Sequence, residues 1–144
     1  MAVEENKAIV RRINEEMVSQ NKLDLADELF AETVVDHSAL PGLPPNREGL
    51  KQLFGMFHTA FSGFHVTIED QVAEGDKVAT RKTFHGRHTG DFYGIPPTHR
   101  QVSFGVIDIL RIADGKVAEG WAVVDQLGLM QQLGVIPVPD QKVP

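Results

Sequence analysis

The sequence predicts an α+β domain in which helices pack on one face of a strongly curved, mainly antiparallel sheet. The apolar residues recur with a helical period in the first part of the chain, and from Phe64 onward they alternate with a period of two. Helices followed by a run of strands are typical of this fold class. A length of 144 residues favours one domain. We expect that domain to span residues 1–136, followed by a flexible tail at residues 137–144.

Three helices are predicted before the main run of strands. The first spans Val3–Gln20, and Asp24 is placed to cap a short second helix. A brief β-branched strand follows at Thr33–His37. Asn46 is the predicted N-cap of a third helix, which is expected to end at Ser62-Gly63. The apolar stripe of this third helix consists of Leu50, Leu53, Phe54, Phe57 and Phe61.

The second half of the chain predicts antiparallel strands and a short terminal helix. A strand that begins at Phe64 turns back at Glu74-Gly75-Asp76 and returns over Lys77–His85. A second hairpin pairs Gln101–Ile112 with Lys116–Val124. The intervening loop, residues 86–100, is long for a compact domain, and a loop of that length is usually functional or a lid.

The composition excludes several kinds of function. The chain has no cysteine, which removes thiol chemistry and cysteine-based zinc sites. Its net charge of −6 argues against a nucleic-acid partner. Neither a signal-peptide pattern nor a membrane-spanning stretch is present, so we expect a cytoplasmic protein with no membrane partner. No nucleotide-binding motif occurs, and His85 and His88 would face opposite sides of a strand, so no cofactor and no metal are expected.

Asp125 is the carboxylate of greatest interest. Strict alternation along the last strand places it on one face with Val117, Glu119, Trp121 and Val123, and we expect this face to form a pocket wall. Burial beside apolar groups would raise the pKa of Asp125 and suit it to act as general base and acid. The competing interpretation is that Asp125 caps the terminal helix, and both roles are compatible.

Several other polar residues have two interpretations. Asp36 and His37 are neighbours on a short strand, so one should face inward and the other outward. Arg81 belongs to a polar strand face that is either part of the pocket or solvated. Asp108 interrupts an apolar strand, and an ion pair with a basic residue on the neighbouring strand is favoured over a catalytic role.

Four long blocks of the sequence resemble the SnoaL-like polyketide cyclases, also called ester cyclases, over residues 5–134. These blocks are Asp76–Arg81, Gly86–Thr98, Ile107–Lys116 and Trp121–Gly134. The resemblance implies a cone-shaped domain of the nuclear-transport-factor-2-like type, with helices covering a bent sheet around one deep pocket. It also implies ring closure of a polyketide ester by intramolecular aldol condensation, without metal or cofactor.

The resemblance further implies roles for individual residues. Asp125 matches the position of a proton-shuttling aspartate at the end of the last strand. His37 is expected to assist it in catalysis, and Trp121 and His88 are expected to contact the substrate. We also expect Arg81 and Phe57 to contact it.

The predicted partners are a small hydrophobic or polyketide-like molecule and a second copy of the chain. A homodimer is expected because the strand Gln101–Ile112 carries apolar residues on both faces. The alternative function is a non-catalytic protein of the same fold that binds a small hydrophobic ligand.

Overall fold

The structure is a computed structural model, and it describes residues 2–139. Helix α1, Ala2–Arg12, continues directly into a π-helical segment, Ile13–Val18. A 3-10 turn at Leu23–Leu25 leads into the short helix α2, Ala26–Leu29. The remaining helices are α3, Arg47–Ala60, and α4, Gln126–Gln132. Residues 140–144, and with them most of the predicted flexible tail, lie outside the described residues.

Five strands form one sheet. They are β1, Phe30–Asp36; β2, Phe61–Glu74; β3, Lys77–His88; β4, Gln101–Ala113; and β5, Lys116–Val124. Their order across the sheet is β1-β5-β4-β3-β2, with β1 parallel to β5 and the other neighbours antiparallel. The predicted α+β class and mainly antiparallel sheet are therefore confirmed.

The boundaries of some elements differ from the sequence prediction. Asn46 caps α3 as predicted, since its side chain accepts a hydrogen bond from the Gly49 N–H. Asp24 makes no side-chain cap, because it lies within the 3-10 turn. Strand β2 begins at Phe61, where α3 ends, and Phe61 pairs with His88. That pairing extends β3 three residues beyond its predicted end and shortens the loop to residues 89–100.

An aromatic cluster connects α3, the sheet and the 89–100 loop. Phe57 of α3 is its centre and is buried. Its ring stacks on Phe64 at a centroid distance of 5.1 Å and meets Phe84 edge-on at 5.6 Å. Phe92, from the 89–100 loop, lies 5.9 Å from the same ring. The loop is thus attached to the core by an aromatic side chain.

A bulge in β5 decides which of its residues face the helices. Glu119 pairs with Arg111 and Val117 pairs with Ile112, so Ala118 is an extra residue between them. Side chains alternate between the two faces of a sheet, so a single inserted residue moves each later side chain to the opposite face.

The β5 pocket wall that alternation predicted is therefore wrong for Glu119 and Val123. Val117 remains on the inner face, where Gly120, Ala122 and Val124 join it as cavity-lining residues. Glu119 and Val123 are not cavity-lining residues, whereas Trp121, at 38% exposed, does line the cavity as predicted. Across residues 2–139, no helix has both the length and the apolar character needed to cross a membrane.

Candidate active site

A cavity of about 640 Å³ lies between the inner face of the sheet, α3, α4 and the 89–100 loop. Its walls are mainly apolar and aromatic, with Phe57, Phe84 and Phe104 among them. Such a volume, with few polar groups in an apolar wall, is typical of a small-molecule site. The predicted pocket contact Phe57 therefore does line the cavity. The polar lining residues are Asp36, Ser38, Lys82, Tyr93, Asp108 and Gln126.

Two of these polar residues form a buried ion pair. Lys82 Nζ lies 2.8 Å from Asp108 Oδ2, and the two side chains are only 6% and 8% exposed. Lys82 Nζ also donates to Asn14 Oδ1 at 2.9 Å. Asn14 is fully buried and donates from Nδ2 to the carbonyl of Val10. The ammonium group is therefore held between two fixed acceptors.

The sheet register brings this pair together. Thr80 pairs with Asp108 and Lys82 pairs with Val106, so Lys82 and Asp108 are diagonal neighbours on the inner face. Asp108 also pairs with Ala122 of β5, whose methyl side chain leaves space beside the carboxylate. The sequence correctly predicted an ion pair between Asp108 and a basic residue on the next strand.

The π-helical segment supplies the third member of the group. The Ser19 N–H donates to the Asn14 carbonyl, five residues earlier in the chain. π-Helical turns are rare and often occur at functional sites. The sequence analysis missed Asn14 and Lys82. Each is a polar residue among apolar residues that face the core, which is the pattern that could have indicated it. Asn14 lies beside Ile13 and Met17, and Lys82 lies between Val78 and Phe84 on the same strand.

One carboxylate oxygen of Asp108 has no hydrogen-bond partner among the described residues. Oδ2 contacts Lys82, whereas the buried Oδ1 is unpaired. Buried polar atoms are almost always hydrogen-bonded, so an exception in a cavity wall requires an explanation. A ligand group that donates a proton to Oδ1 would satisfy it.

Asp125 lies at the end of β5 and is exposed. Its Oδ1 accepts a hydrogen bond from the Gly128 N–H at 2.9 Å, which makes Asp125 the N-cap of α4. Asp125 is not among the residues that line the cavity. Of its two predicted roles, these contacts describe the cap, and the apolar surroundings expected for a general base are missing.

His37 and Trp121 form a cluster on the outer face. Their rings stack at 4.8 Å, and His37 Nε2 lies 3.0 Å from Glu119 Oε2. Arg111 Nε donates to the other oxygen of Glu119 at 2.8 Å. The hydrogen bonds from His37 and Arg111 hold the pKa of Glu119 below its ordinary value. Trp121 and Asp36 line the cavity, whereas His37 does not.

His88 and Arg81 are not brought to the cavity. His88 is fully buried, and its Nδ1 accepts a hydrogen bond from the Thr98 N–H at 3.1 Å, which attaches the 89–100 loop to β3. Arg81 is exposed on the face opposite Lys82 and donates to Asp70 Oδ2 at 2.9 Å. Within residues 2–139, no group of three or more His, Cys, Asp or Glu is positioned to hold a metal ion.

Removing one partner of the buried pair should destabilise the protein. We expect Lys82→Met to lower the free energy of unfolding by about 3–5 kcal/mol, because Asp108 would remain as a buried charge without a counter-ion. The double variant Lys82→Met/Asp108→Asn removes both charges and should recover most of this loss. Urea unfolding measures the difference.

Lys77→Met is the matched control, because Lys77 lies on the same strand and is exposed. It should change stability by no more than about 0.5 kcal/mol. A loss in Lys82→Met as small as that of the control would contradict the buried pair.

Comparisons with known proteins agree with this fold. The family model of the SnoaL-like polyketide cyclase matches residues 8–133. The chain is 32% identical over 102 residues to the nogalonic acid methyl ester cyclase of Streptomyces nogalater, across 70% of this chain and 75% of that protein. It is 38% identical over 70 residues to the aklanonic acid methyl ester cyclase DnrD of Streptomyces peucetius, across 49% and 48% of the two chains. The solved structure of TsrD from Streptomyces laurentii superposes with a TM-score of 0.84 at 28% identity, covering 92% of this chain and 97% of that one. The chain therefore belongs to the SnoaL-like polyketide cyclase family.

Proposed function

We propose that the chain is a cofactor-independent cyclase that closes a ring within a polyketide ester by an aldol-type reaction. The observation that carries this proposal is that Asp108 lines a largely apolar cavity and that one oxygen of its buried carboxylate has no partner among residues 2–139. The methyl ester cyclases of Streptomyces nogalater and Streptomyces peucetius indicate the class of substrate. A non-catalytic ligand-binding role is not favoured, because these relatives are named for ring closure.

The proposed reaction needs one group that first accepts and then returns a proton. Asp108 Oδ1 removes a proton from the carbon next to a substrate carbonyl, and the C–H electron pair forms an enolate. The enolate carbon attacks a second carbonyl of the same molecule, which forms the new C–C bond and an alkoxide. The alkoxide takes the proton back from Asp108. The product is an isomer of the substrate, so no oxidant, reductant or second reactant is required.

This assignment differs from the one that the sequence predicts. Asp125, with His37, remains the rival candidate for proton transfer. The substitution Asp125→Asn separates the two roles of Asp125, because asparagine caps helices about as well as aspartate but accepts no proton. The proposal therefore makes opposite predictions for Asp108 and Asp125.

We expect Asp108→Asn to lower the turnover of nogalonic acid methyl ester or aklanonic acid methyl ester by about 10²-fold or more. A positioned acid or base contributes on the order of 10²–10⁴-fold. Loss of the substrate absorbance band under single-turnover conditions measures the rate. Asp125→Asn should retain activity within a few fold.

Asp114→Asn serves as the control for the exchange itself. Asp114 is exposed in the β4–β5 turn and has a φ of 52°, a conformation that asparagine tolerates well. Full activity in Asp108→Asn together with its loss in Asp125→Asn would reject the assignment to Asp108 and restore the original one.

We also propose that the chain forms a homodimer through the outer face of β4 and β5. These two strands expose four large apolar side chains: Ile107, Ile109, Trp121 and Val123. Val123 is 75% exposed and Ile107 is 54% exposed, and the two residues pair across the strands. A contiguous apolar patch on a sheet is typical of an interaction surface. The cytoplasmic location stays a prediction of the sequence.

Val123→Lys should convert the dimer to a monomer, because it would bury a charge without a partner at the interface. Val72→Lys is the matched control, since Val72 is 67% exposed on β2, the far edge of the sheet. Light scattering coupled to gel filtration measures the mass. A monomeric unmodified protein would refute the dimer, and so would a dimer that survives Val123→Lys.

A further inference from the structure

We propose that Lys82 binds the anionic oxygen of an enolised β-dicarbonyl group, and that the substrate class is therefore a β-keto ester or β-diketone. This inference rests on the proposed function and names the substrate group that the same cavity recognises. Lys82 contacts the ligand oxygen on which negative charge develops during the reaction, whereas Asp108 accepts the proton and later returns it.

The hydrogen-bonding capacity of Lys82 supports this role. An ammonium group carries three protons. Asp108 Oδ2 and Asn14 Oδ1 engage two of them, at 2.8 Å and 2.9 Å. No third acceptor lies within hydrogen-bond distance among the described residues, and the ring of Phe84 has its centroid 5.5 Å from Nζ. Lys82 itself lines the cavity, and the proposal gives its third proton to a ligand oxygen there.

The position of this ammonium group is fixed before any ligand enters. Asn14 is tied to the Val10 carbonyl, and the Lys82 side chain is 6% exposed. A donor that is already oriented stabilises a developing negative charge without rearrangement, and it does so most effectively where water is excluded. The surrounding wall is mainly apolar, with Ile13, Phe84 and Phe104 among its residues.

Charge conservation explains why the pair suits an enolate. Before reaction, Lys82 and Asp108 carry opposite charges and the ligand is neutral. When Asp108 takes the ligand proton, the negative charge moves from the carboxylate to the ligand, and Lys82 remains paired. No isolated charge is created in the low-dielectric cavity, where one would be costly.

The same balance selects the substrate class. A carboxylate is a weak base, so the carbon acid must be unusually acidic for the proton to move to Asp108. A β-dicarbonyl compound meets this requirement because two oxygens share the charge of its anion. A simple ketone places the charge on one oxygen and is a much weaker acid. The wall is otherwise apolar, which fits the hydrocarbon remainder of such a ligand.

The test uses dibenzoylmethane, a β-diketone whose enolate absorbs at longer wavelength than its neutral form. Two full-length variants are compared: Asp108→Asn, which keeps the Lys82 amino group and leaves a bound enolate as its counter-ion, and Lys82→Met/Asp108→Asn, which has neither charged group. Both lack the proposed base, so the measurement involves no turnover. The pH at which half of the bound ligand becomes enolate is read from absorbance.

In Asp108→Asn we expect this midpoint to fall at least one pH unit below that of the free ligand, a tenfold preference for the anion. In Lys82→Met/Asp108→Asn the midpoint should lie at or above that of the free ligand. Lys82→Gln/Asp108→Asn should give the same midpoint as Lys82→Met/Asp108→Asn, because glutamine donates hydrogen bonds but carries no charge. Dihydrochalcone, a similarly sized simple ketone, should bind all three variants equally and reports an intact cavity.

Equal midpoints in Asp108→Asn and the two uncharged variants would overturn the inference. Failure of Asp108→Asn to bind dibenzoylmethane would overturn it too. The cyclase proposal is tested separately: absence of ring closure together with a charge-dependent midpoint would refute the activity and leave the Lys82 site standing.

Discussion

The burial of one lysine beside one aspartate is the constraint on which the site depends. Each charge alone would be costly in an apolar interior, and their attraction offsets that cost only when the geometry is good and the remaining protons have acceptors. The contact between Lys82 and Asp108 at 2.8 Å provides the first condition, and Asn14 contributes to the second. The pair therefore depends on two features. The register of β3 against β4 brings Lys82 next to Asp108, and the π-helical segment places the side-chain amide of Asn14 beside Lys82.

The shape of the cavity depends on a different local feature, the bulge at Ala118. It places Gly120 and Ala122 on the side of the cavity and Val123 on the opposite side. Small residues beside Asp108 leave space for a ligand, while large apolar residues collect on the opposite face. One extra residue thus separates a ligand-binding surface from an association surface on the same strand. Phe92 packs against Phe57 and so attaches the 89–100 loop to the aromatic cluster, where the loop forms part of the cavity wall.

Much of this fold follows from the sequence, and the exceptions have specific physical causes. Hydrophobic periodicity and turn residues predict the helices, the two hairpins and the α+β class, and the quoted blocks identify the family. Alternation fails in β5 because a bulge leaves no mark on a pattern of polar and apolar residues. Alternation in β3 also indicates the polar face that carries Arg81 as a possible pocket face, whereas the cavity is lined by the apolar face that contains Lys82. The role of Asn14 is not predicted because the helical period of the apolar residues does not reveal a π-helical segment. The sequence around Asp125 is compatible with both of its predicted roles. Its exposure and its hydrogen bond from the Gly128 N–H favour the role of helix cap.

A crystal structure of the protein with the cyclised product bound would show whether chemistry occurs at the Lys82–Asp108 pair. We expect a product oxygen within about 2.6–3.2 Å of Lys82 Nζ, a hydroxyl at similar distance from Asp108 Oδ1, and the ring system against Phe57 and Phe84. A product that fills the cavity while its oxygens contact only other lining residues, such as Asp36 and Tyr93, would contradict chemistry at this pair.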